Sequence, residues 1–425
     1  MKQLVFERSA IKHNTAIIQE RAGSAVIFAV LVGDAYGAGL IELAKLLREE
    51  GIAHFAVEEA EDVTRLRQAG FAQEPILMLR STTNRDELVE LLNQRAICTI
   101  GSYETGTALN AVAEELGVKA EAHVLIDTGM GFGGFLSSEP QKLLSIYHYL
   151  PNVAITGTYT HLCACAGDTT RQMAVFQSVL DTIESAHLNP GLVHAAGSSA
   201  LMNGTDTCLG AVRVGSAFLG ACRTQKRGSQ LKPVYHGEAI LDTVRWLPKG
   251  HTVGNEVITI LHRPTRVGII PVGYHHGFGI QRARKSGFWA FFKAWRDRRN
   301  RFVTINGQKA KVIGRVGALE TAIDVTDLHC GEGDLAVFQM DAIFAHGIPR
   351  VYQRGSAMVQ REPMTPSSAL ELFLDAFDGM PIQGCHELRL SPQELAELTG
   401  LFPSAVFQPL EEPADGKRWY EVSIA

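Results

Sequence analysis

Short apolar runs alternate with amphipathic stretches through the first half of the chain. The runs fall at residues 26–32 (VIFAVLV), 53–57 (AHFAV), 75–79 (PILML), 96–100 (AICTI), 121–126 (EAHVLI), 153–160 (VAITGTYT), 191–195 (GLVHA) and 210–214 (GAVRV). The stretches between them carry helical spacing. In GLIELAKLLREEG, Leu40, Leu43, Leu46 and Leu47 share one helix face and Gly51 ends it. Eight strands with intervening helices predict a parallel sheet. Eight is also the number that closes a (β/α)8, TIM-like barrel, and residues 1–225 suit its usual size. An open doubly wound sheet is the alternative. The predicted fold class is therefore α/β.

The pattern changes after residue 225. AILDTVRWL, VGIIPVGY, FVTINGQKAKVIGRV and LAVFQM read as strands, and Asn306-Gly307 sits between two alternating runs as a hairpin turn. Residues 226–355 thus predict a second, mostly β domain. Residues 356–425 read as a C-terminal extension with short helices, the second opened by a capping box of Ser391 and Glu394.

Composition narrows the function classes. The chain has 425 residues, 46% hydrophobic and 20% charged, with a formal net charge of −5, so nothing in its overall charge draws it to nucleic acid or anionic lipid. No apolar run reaches the length of a membrane span. Glu7 and Arg8 interrupt the place where a signal peptide would be apolar, so a cytoplasmic location is expected. The seven cysteines are odd in number and irregularly spaced, which reads as reduced thiols, and no Cys/His spacing suggests a metal site. Cys163 and Cys165, two apart on a strand, would share one face, which does not suit a two-base reaction across a single carbon.

In such barrels the chemistry gathers at the C-terminal ends of the strands, with phosphate often held after strands seven and eight. There the chain offers HAAGSSAL and VRVGSAF. Gly197, Ser198 and Ser199, then Gly215 and Ser216, combine small residues with hydroxyls, a composition that lets backbone N–H groups approach a phosphate. A tight turn needing small residues would read the same way. Asp34, Tyr36, Asp127, His161, His194 and Arg213 fall at neighbouring strand ends. Each alone suits a structural role; their convergence predicts a site for a phosphorylated small molecule.

At these residues the chain resembles the alanine racemase family. The resemblance covers about residues 5–355 and rests on DAYGAGL, IDTGMGFGGF, GTYTHLCA, HAAGSSAL, VRVGSAFLG, PVGYHHGF and IGRVG…IDVTD, in order. It implies a homodimer with pyridoxal phosphate at the barrel mouth, the second subunit completing the site. By position, Tyr36 would hydrogen-bond the cofactor phosphate, and Ser198 with the backbone around Gly215 and Ser216 would complete its cup. His161 would lie beside the pyridine ring, and Arg213 would face the ring nitrogen and keep it unprotonated. Tyr274 would be the base reaching in from the partner subunit.

The departures concern the rest of the reaction. The family's Schiff-base lysine is Val32 here, the lysine before IDTG is Leu125, and the arginine after GMG is Phe132. A Met-Asp pair is Ala318-Leu319, the histidine after DAYG is Ala38, and GYADG has become GYHHG. Valine can neither attach the cofactor nor move a proton, and general acid–base help is commonly worth ~10²–10⁴-fold. Negligible alanine racemization by the usual mechanism is therefore expected, with pyridoxal phosphate or another phosphorylated molecule held non-covalently. No substitute lysine is expected from Lys45, on the following helix, or Lys119, ahead of strand five.

Two alternatives stay open. One is a divergent amino-acid isomerase or lyase using Tyr274 with His161 or His275. The other rests on residues 282–302, RARKSGFWAFFKAWRDRRNRF, a basic, aromatic, amphipathic helix pattern that suits a membrane surface, an acidic partner or the protein's own site. SPQELAELTGLFPSAVFQPL has the outline of a helix-turn-helix but almost no basic residue, and carries Pro409 where a reading helix would continue. Nucleic acid is not an expected partner.

Overall fold

The computed structural model describes residues 1–163, 166–203, 207–221, 230–254, 258–280 and 301–353, with 386–390, 392, 395, 405–409 and 418–424. The first strand, β1 (Lys2–Glu7), is followed by eight parallel barrel strands. These are β2 (Val26–Val30), β3 (His54–Val57), β4 (Ile76–Met78), β5 (Cys98–Ile100), β6 (Ala120–Asp127), β8 (Val153–Thr160), β9 (Leu192–Gly197) and β10 (Ala211–Val214); the two-residue β7 (Phe135–Leu136) pairs with the end of β6. The order β4-β3-β2-β10-β9-β8-β6-β5 is all but closed by a bridge between Leu77 and Ile97, where Met78 N–H donates to the Ile97 carbonyl at 2.8 Å. Each predicted apolar run became one barrel strand, so the closed barrel prevails over the open sheet.

Strand alternation divides the side chains between two cores. Phe28, Ala56, Leu77, Ile97 and Ala211 fill the barrel interior as one small cluster. Their neighbours in sequence, among them Ala29, Phe55, Ile76 and Val212, face outward into the large core under the helices. Helix Leu40–Glu49 lays Leu40, Leu43 and Leu47 on that core, as its spacing predicts.

The second sheet runs β12-β15-β18-β17-β16-β19-β11-β1-β20. Its strands are β11 (Tyr235–Ile240), β12 (Thr243–Leu247), β15 (Thr265–Ile270), β16 (Phe302–Ile305), β17 (Gln308–Val312), β18 (Thr321–Asp324), β19 (Leu335–Phe338) and β20 (Arg350–Gln353); β13 (Thr252–Val253) and β14 (Thr259–Ile260) make a separate pair. The Asn306-Gly307 turn joins β16 to β17 with both residues at positive φ, as the sequence predicts. One expectation is corrected here. β1 belongs to the second sheet, antiparallel to β11 and parallel to β20, so the segment 1–225 is not the barrel alone. Leu4, Val5 and Phe6 are fully buried, and Phe6 stacks on Tyr352 with ring centroids 5.0 Å apart.

Past β2 the chain does not enter the helix directly. Gly33, Asp34, Ala35 and Tyr36 form a left-handed turn with φ of 60°, 53°, 55° and 56°. Each non-glycine residue in that region costs roughly 1–2 kcal/mol, so the turn needs support. Asp34 accepts from the Leu40 N–H at 2.9 Å and pairs with Arg350 at 2.6 Å. The Tyr352 hydroxyl donates to the Ala38 carbonyl. Both clamps come from β20, so the second sheet holds the loop at the barrel mouth.

Residues 356–425 form a separate compact unit. Its described part is an antiparallel sheet in the order β21 (His386–Leu390), β23 (Arg418–Ile424), β22 (Ala405–Pro409). Pro392 and Leu395, the described residues of the helix expected after Ser391, are helical, whereas Ser391 and Glu394 lie outside the described residues. Of the 282–302 segment, only Arg301 and Phe302 are described. No helix among the described residues is long and apolar enough to cross a membrane.

Gly37 has φ +83°, and a Cβ there would sit 2.0 Å from the Ala342 carbonyl oxygen. Gly37→Ala is expected to lose roughly 2–4 kcal/mol of stability in urea unfolding. An unchanged midpoint would contradict this turn geometry.

Candidate functional site

The barrel interior carries a buried polar row above its aliphatic layer. Arg213, on β10, is 4% exposed, and His194 on β9 and His123 on β6 are equally enclosed. Arg213 Nη1 donates to His194 Nδ1 at 2.7 Å, and His194 Nε2 meets His123 Nδ1 at 2.9 Å. Arg213 Nη2 donates to the Thr160 carbonyl at 2.6 Å and to His161 Nδ1 at 3.3 Å. The guanidinium also lies 4.7 Å over the Tyr159 ring, which stacks flat on His194 at 4.8 Å. Tyr159 is tied to the far side of the barrel through Thr99 Oγ1 at 3.0 Å and the Leu79 carbonyl at 3.2 Å.

Electrostatics follow from this burial. Desolvation lowers the Arg213 pKa to about 10, so it stays charged at neutral pH; among the described residues no carboxylate pairs with it. Burial first, and the Arg213 charge second, push His123 and His161 down to about 4 and His194 well below its ordinary value. His161 opens to solvent at the mouth, so its shift is the less firmly enforced of the three. The histidines are neutral, and Arg213 is the one charge of the row.

The other expected cofactor contacts gather above Arg213. Ser198 opens the short helix Ser198–Met202 after β9, and its Oγ accepts from Gly215 N–H at 3.1 Å and Ala217 N–H at 3.4 Å. Ser216 anchors the next turn, its carbonyl accepting from Leu219 and Ala221 N–H. The Tyr36 hydroxyl packs where a Cβ on Gly215 would lie, 2.3 Å away, so only glycine fits beneath it. These residues form a cradle of N–H and O–H groups suited to a phosphate, and Arg213 suits a ring nitrogen that accepts a hydrogen bond. A phosphorylated pyridine such as pyridoxal phosphate fits both. His161 Cε1 lies 3.8 Å from the Cβ position of Gly197, between cradle and guanidinium.

The facing wall is apolar. Val30 packs on the interior cluster, and half-buried Val32 opens the short helical turn Val32–Tyr36 just past β2. Leu125 is half-buried, inward like His123 two residues earlier, and Phe132 is 87% exposed at the tip of the loop after β6. Asp127 closes that loop by accepting from Gly129, Met130 and Gly131 N–H, a structural task. Lys45 lies exposed on helix Leu40–Glu49, and exposed Lys119 precedes β6 at its N-terminal end. Neither stands at a strand's C-terminal end, so neither brings an amine to this wall.

Tyr274 comes from the second domain. It opens a 3-10 turn, Tyr274–His276, and is 43% exposed. His276 steadies that turn, its Nδ1 accepting from Gly273 N–H at 3.1 Å and its Nε2 lying 2.7 Å from Lys2 Nζ. Three contributors escaped the sequence reading: His123, Tyr159 and the Arg350 clamp on Asp34. The first two were within reach, since alternation along EAHVLID and TGTYTH turns both inward. The third depends on a strand more than 300 residues away.

Comparisons with known proteins agree with this architecture. The family model for the alanine racemase N-terminal domain matches residues 7–223, and that for the C-terminal domain matches residues 234–361. An alanine racemase of Methanococcus maripaludis is 27% identical over 329 residues, covering 75% of this chain and 83% of its own. One from Sorangium cellulosum is 29% identical over 341 residues, covering 77% and 85%. Among solved structures, the alanine racemase of Clostridium difficile superposes with a TM-score of 0.74 at 23% identity, covering 84% of this chain and 97% of that one. The Bartonella henselae alanine racemase with covalently bound pyridoxal phosphate gives 0.71 at 22% identity, covering 83% and 99%.

The neutral histidines make the fold acid-sensitive. The unfolded chain takes up a proton on His123 near pH 6.5, but the fold does so only near 4, so stability falls as pH drops through that window. By pH 5 this difference is worth about 2 kcal/mol for His123, and His194 acts in the same direction. Urea unfolding at pH 7.5 and 5 should show the loss, and His123→Asn should flatten it. Equal pH slopes in the two proteins would refute the assignment.

Proposed function

The chain belongs to the alanine racemase family, and from that premise we propose that it binds pyridoxal phosphate, or a phosphorylated ligand of like shape, without a covalent link and does not racemize alanine by the family's usual route. The observation that carries this reading is the asymmetry of the mouth. A phosphate cradle and a buried guanidinium face a wall where Val32 stands in place of the attaching lysine. When bound, the cofactor supplies an electron-withdrawing ring and a carbonyl. Ser198, Tyr36, Ser216 and the N–H groups of Gly215 and Ala217 would hold its phosphate. Arg213 would orient the ring and keep its nitrogen unprotonated. His161, neutral and already engaged at Nδ1 by Arg213, would border the ring as a contact rather than as a proton carrier. Val32 holds and moves no proton. The proposed role is binding or regulatory.

We propose further that two copies of the chain assemble. Tyr274 and Leu319 are 43% and 57% exposed. Their turns are joined by Tyr274 N–H to the Gly317 carbonyl and His275 N–H to the Ala318 carbonyl. A second copy covering this apolar, aromatic face would bring Tyr274 to its site.

Spectral titration of dialysed protein should show one pyridoxal phosphate taken up per chain and lost again on dialysis. Borohydride should leave no pyridoxyl-lysine peptide, and alanine turnover should stay below about one per second. A trapped lysine adduct or brisk racemization would sink this reading. Light scattering should give twice the 46.3 kDa chain mass, and Leu319→Glu should shift it toward monomer; a wild-type monomer at micromolar concentration would contradict the pairing.

A further inference from the structure

One polar side chain interrupts an apolar stripe. Phe176, Val179, Leu180 and Ile183 recur at helical spacing on the buried face of helix Ala166–Ser185. Gln172 lies one turn earlier on the same face and is 4% exposed. A buried carboxamide is costly unless its hydrogen bonds are made, and here they are made to the barrel mouth. Its Oε1 accepts from the Cys163 N–H at 2.8 Å, while its Nε2 donates to the His161 carbonyl at 3.3 Å and to Thr128 Oγ1 at 3.2 Å. A main-chain N–H only donates and a carbonyl only accepts, so these partners fix which way the amide points.

The place of those bonds explains the residue. The β6–β8 ladder ends at the pair Ile126 and Thr160. Past Thr160 the chain leaves the sheet, and its next main-chain polar groups need other partners. Gln172 supplies them on both sides of Leu162, and Thr169 Oγ1 donates to the Cys163 carbonyl at 3.2 Å. Thr128 belongs to the turn after β6, and its hydroxyl lies 2.8 Å from Thr160 Oγ1. One carboxamide thus ties together the ends of two neighbouring strands, where His161 leaves the second of them. The His161 ring has a slighter hold of its own. Arg213 Nη2 meets its Nδ1 at 3.3 Å and donates at closer range, 2.6 Å, to the Thr160 carbonyl. So long a bond leaves the ring's position to the backbone that carries it.

We infer that Gln172 is a positioning residue: by holding the main chain of His161 and Cys163 against Thr128, it keeps the His161 ring beside the Arg213 guanidinium and so sets the flat surface that the mouth offers to a ligand's ring. The part that concerns a ligand rests on the function proposed above; the part that concerns His161 does not. Burial, and then the Arg213 charge, hold the His161 pKa down to about 4, so its proton affinity reports the ring's place without any ligand.

The test uses the full chain with nitrogen-15-labelled histidines. Gln172→Met keeps the length of the side chain and removes its bonds to both loops. Thr169→Val removes the bond to the Cys163 carbonyl and leaves Gln172 in place. In ligand-free Gln172→Met, His161 should leave the guanidinium and gain about tenfold in proton affinity. His123 and His194, whose bonds run to each other and to Arg213, should stay as in the wild type. Thr169→Val should match the wild type at all three. Gln172→Asn, too short to reach both loops, should behave as Gln172→Met does, and it decides the matter if the methionine variant does not fold. With pyridoxal phosphate bound, the circular dichroism of the cofactor should change in Gln172→Met and not in Thr169→Val. An unmoved His161, a rise shared by all three histidines, or an equal rise in Thr169→Val would overturn the inference. Unchanged dichroism in a variant whose His161 has moved would overturn its claim on the ligand's ring. If the wild type binds no pyridoxal phosphate, the function proposal fails by itself, and the ligand-free titration decides for Gln172.

Discussion

One guanidinium, that of Arg213, buried with no carboxylate beside it among the described residues, organises the mouth of this barrel. Leaving a cation in such a place is costly unless its donors are all engaged. Here they are spent on two imidazoles and two main-chain carbonyls, those of Thr160 and His194, with an aromatic ring beneath. That arrangement works only while the imidazoles stay neutral, and the low pKa values of His123, His161 and His194 are the electrostatic counterpart of Arg213 being charged. On the function proposed above it would also set the ligand's character: one side of the mouth suits acceptors and negative charge, while Val30, Val32 and Leu125 are apolar.

The second domain contributes to the barrel site at close range. β20 lies beside β1, the first strand of the chain, and its Arg350 and Tyr352 pin the left-handed turn that carries Tyr36. A strained turn persists where surrounding structure over-determines it, and such places are often functional. Here the strain delivers the Tyr36 hydroxyl to Gly215. The contacts that would suit a phosphate are therefore built from both halves of the sequence, although each strand-end motif lies in the first half.

Much of this was legible in the residues. Eight apolar runs at regular intervals became eight barrel strands because period and length leave little choice. Once the barrel is granted, strand ends locate Tyr36, His161, Ser198, Arg213, Gly215 and Ser216 on one face. Other features were hidden for physical reasons. β1 reads as a minor run, LVF between Gln3 and Glu7, and its pairing partners are as remote as Tyr235 and Ala239. The Asp34–Tyr36 turn reads as a helix start, since left-handedness comes from its distant clamps. At 405–409 and 418–424 the chain pairs as strands that the sequence analysis does not single out. His123 was passed over because an inward histidine looks like a departure from the strand pattern until its partner His194 is in view.

The account is tested most directly by a crystal structure of the chain grown with pyridoxal phosphate. It predicts the phosphate against Ser198 and the N–H groups of Gly215 and Ala217, the ring nitrogen facing Arg213, and clear separation between the ligand's carbonyl carbon and every side chain. Density continuous with a lysine, or a ligand bound away from Arg213, would contradict it.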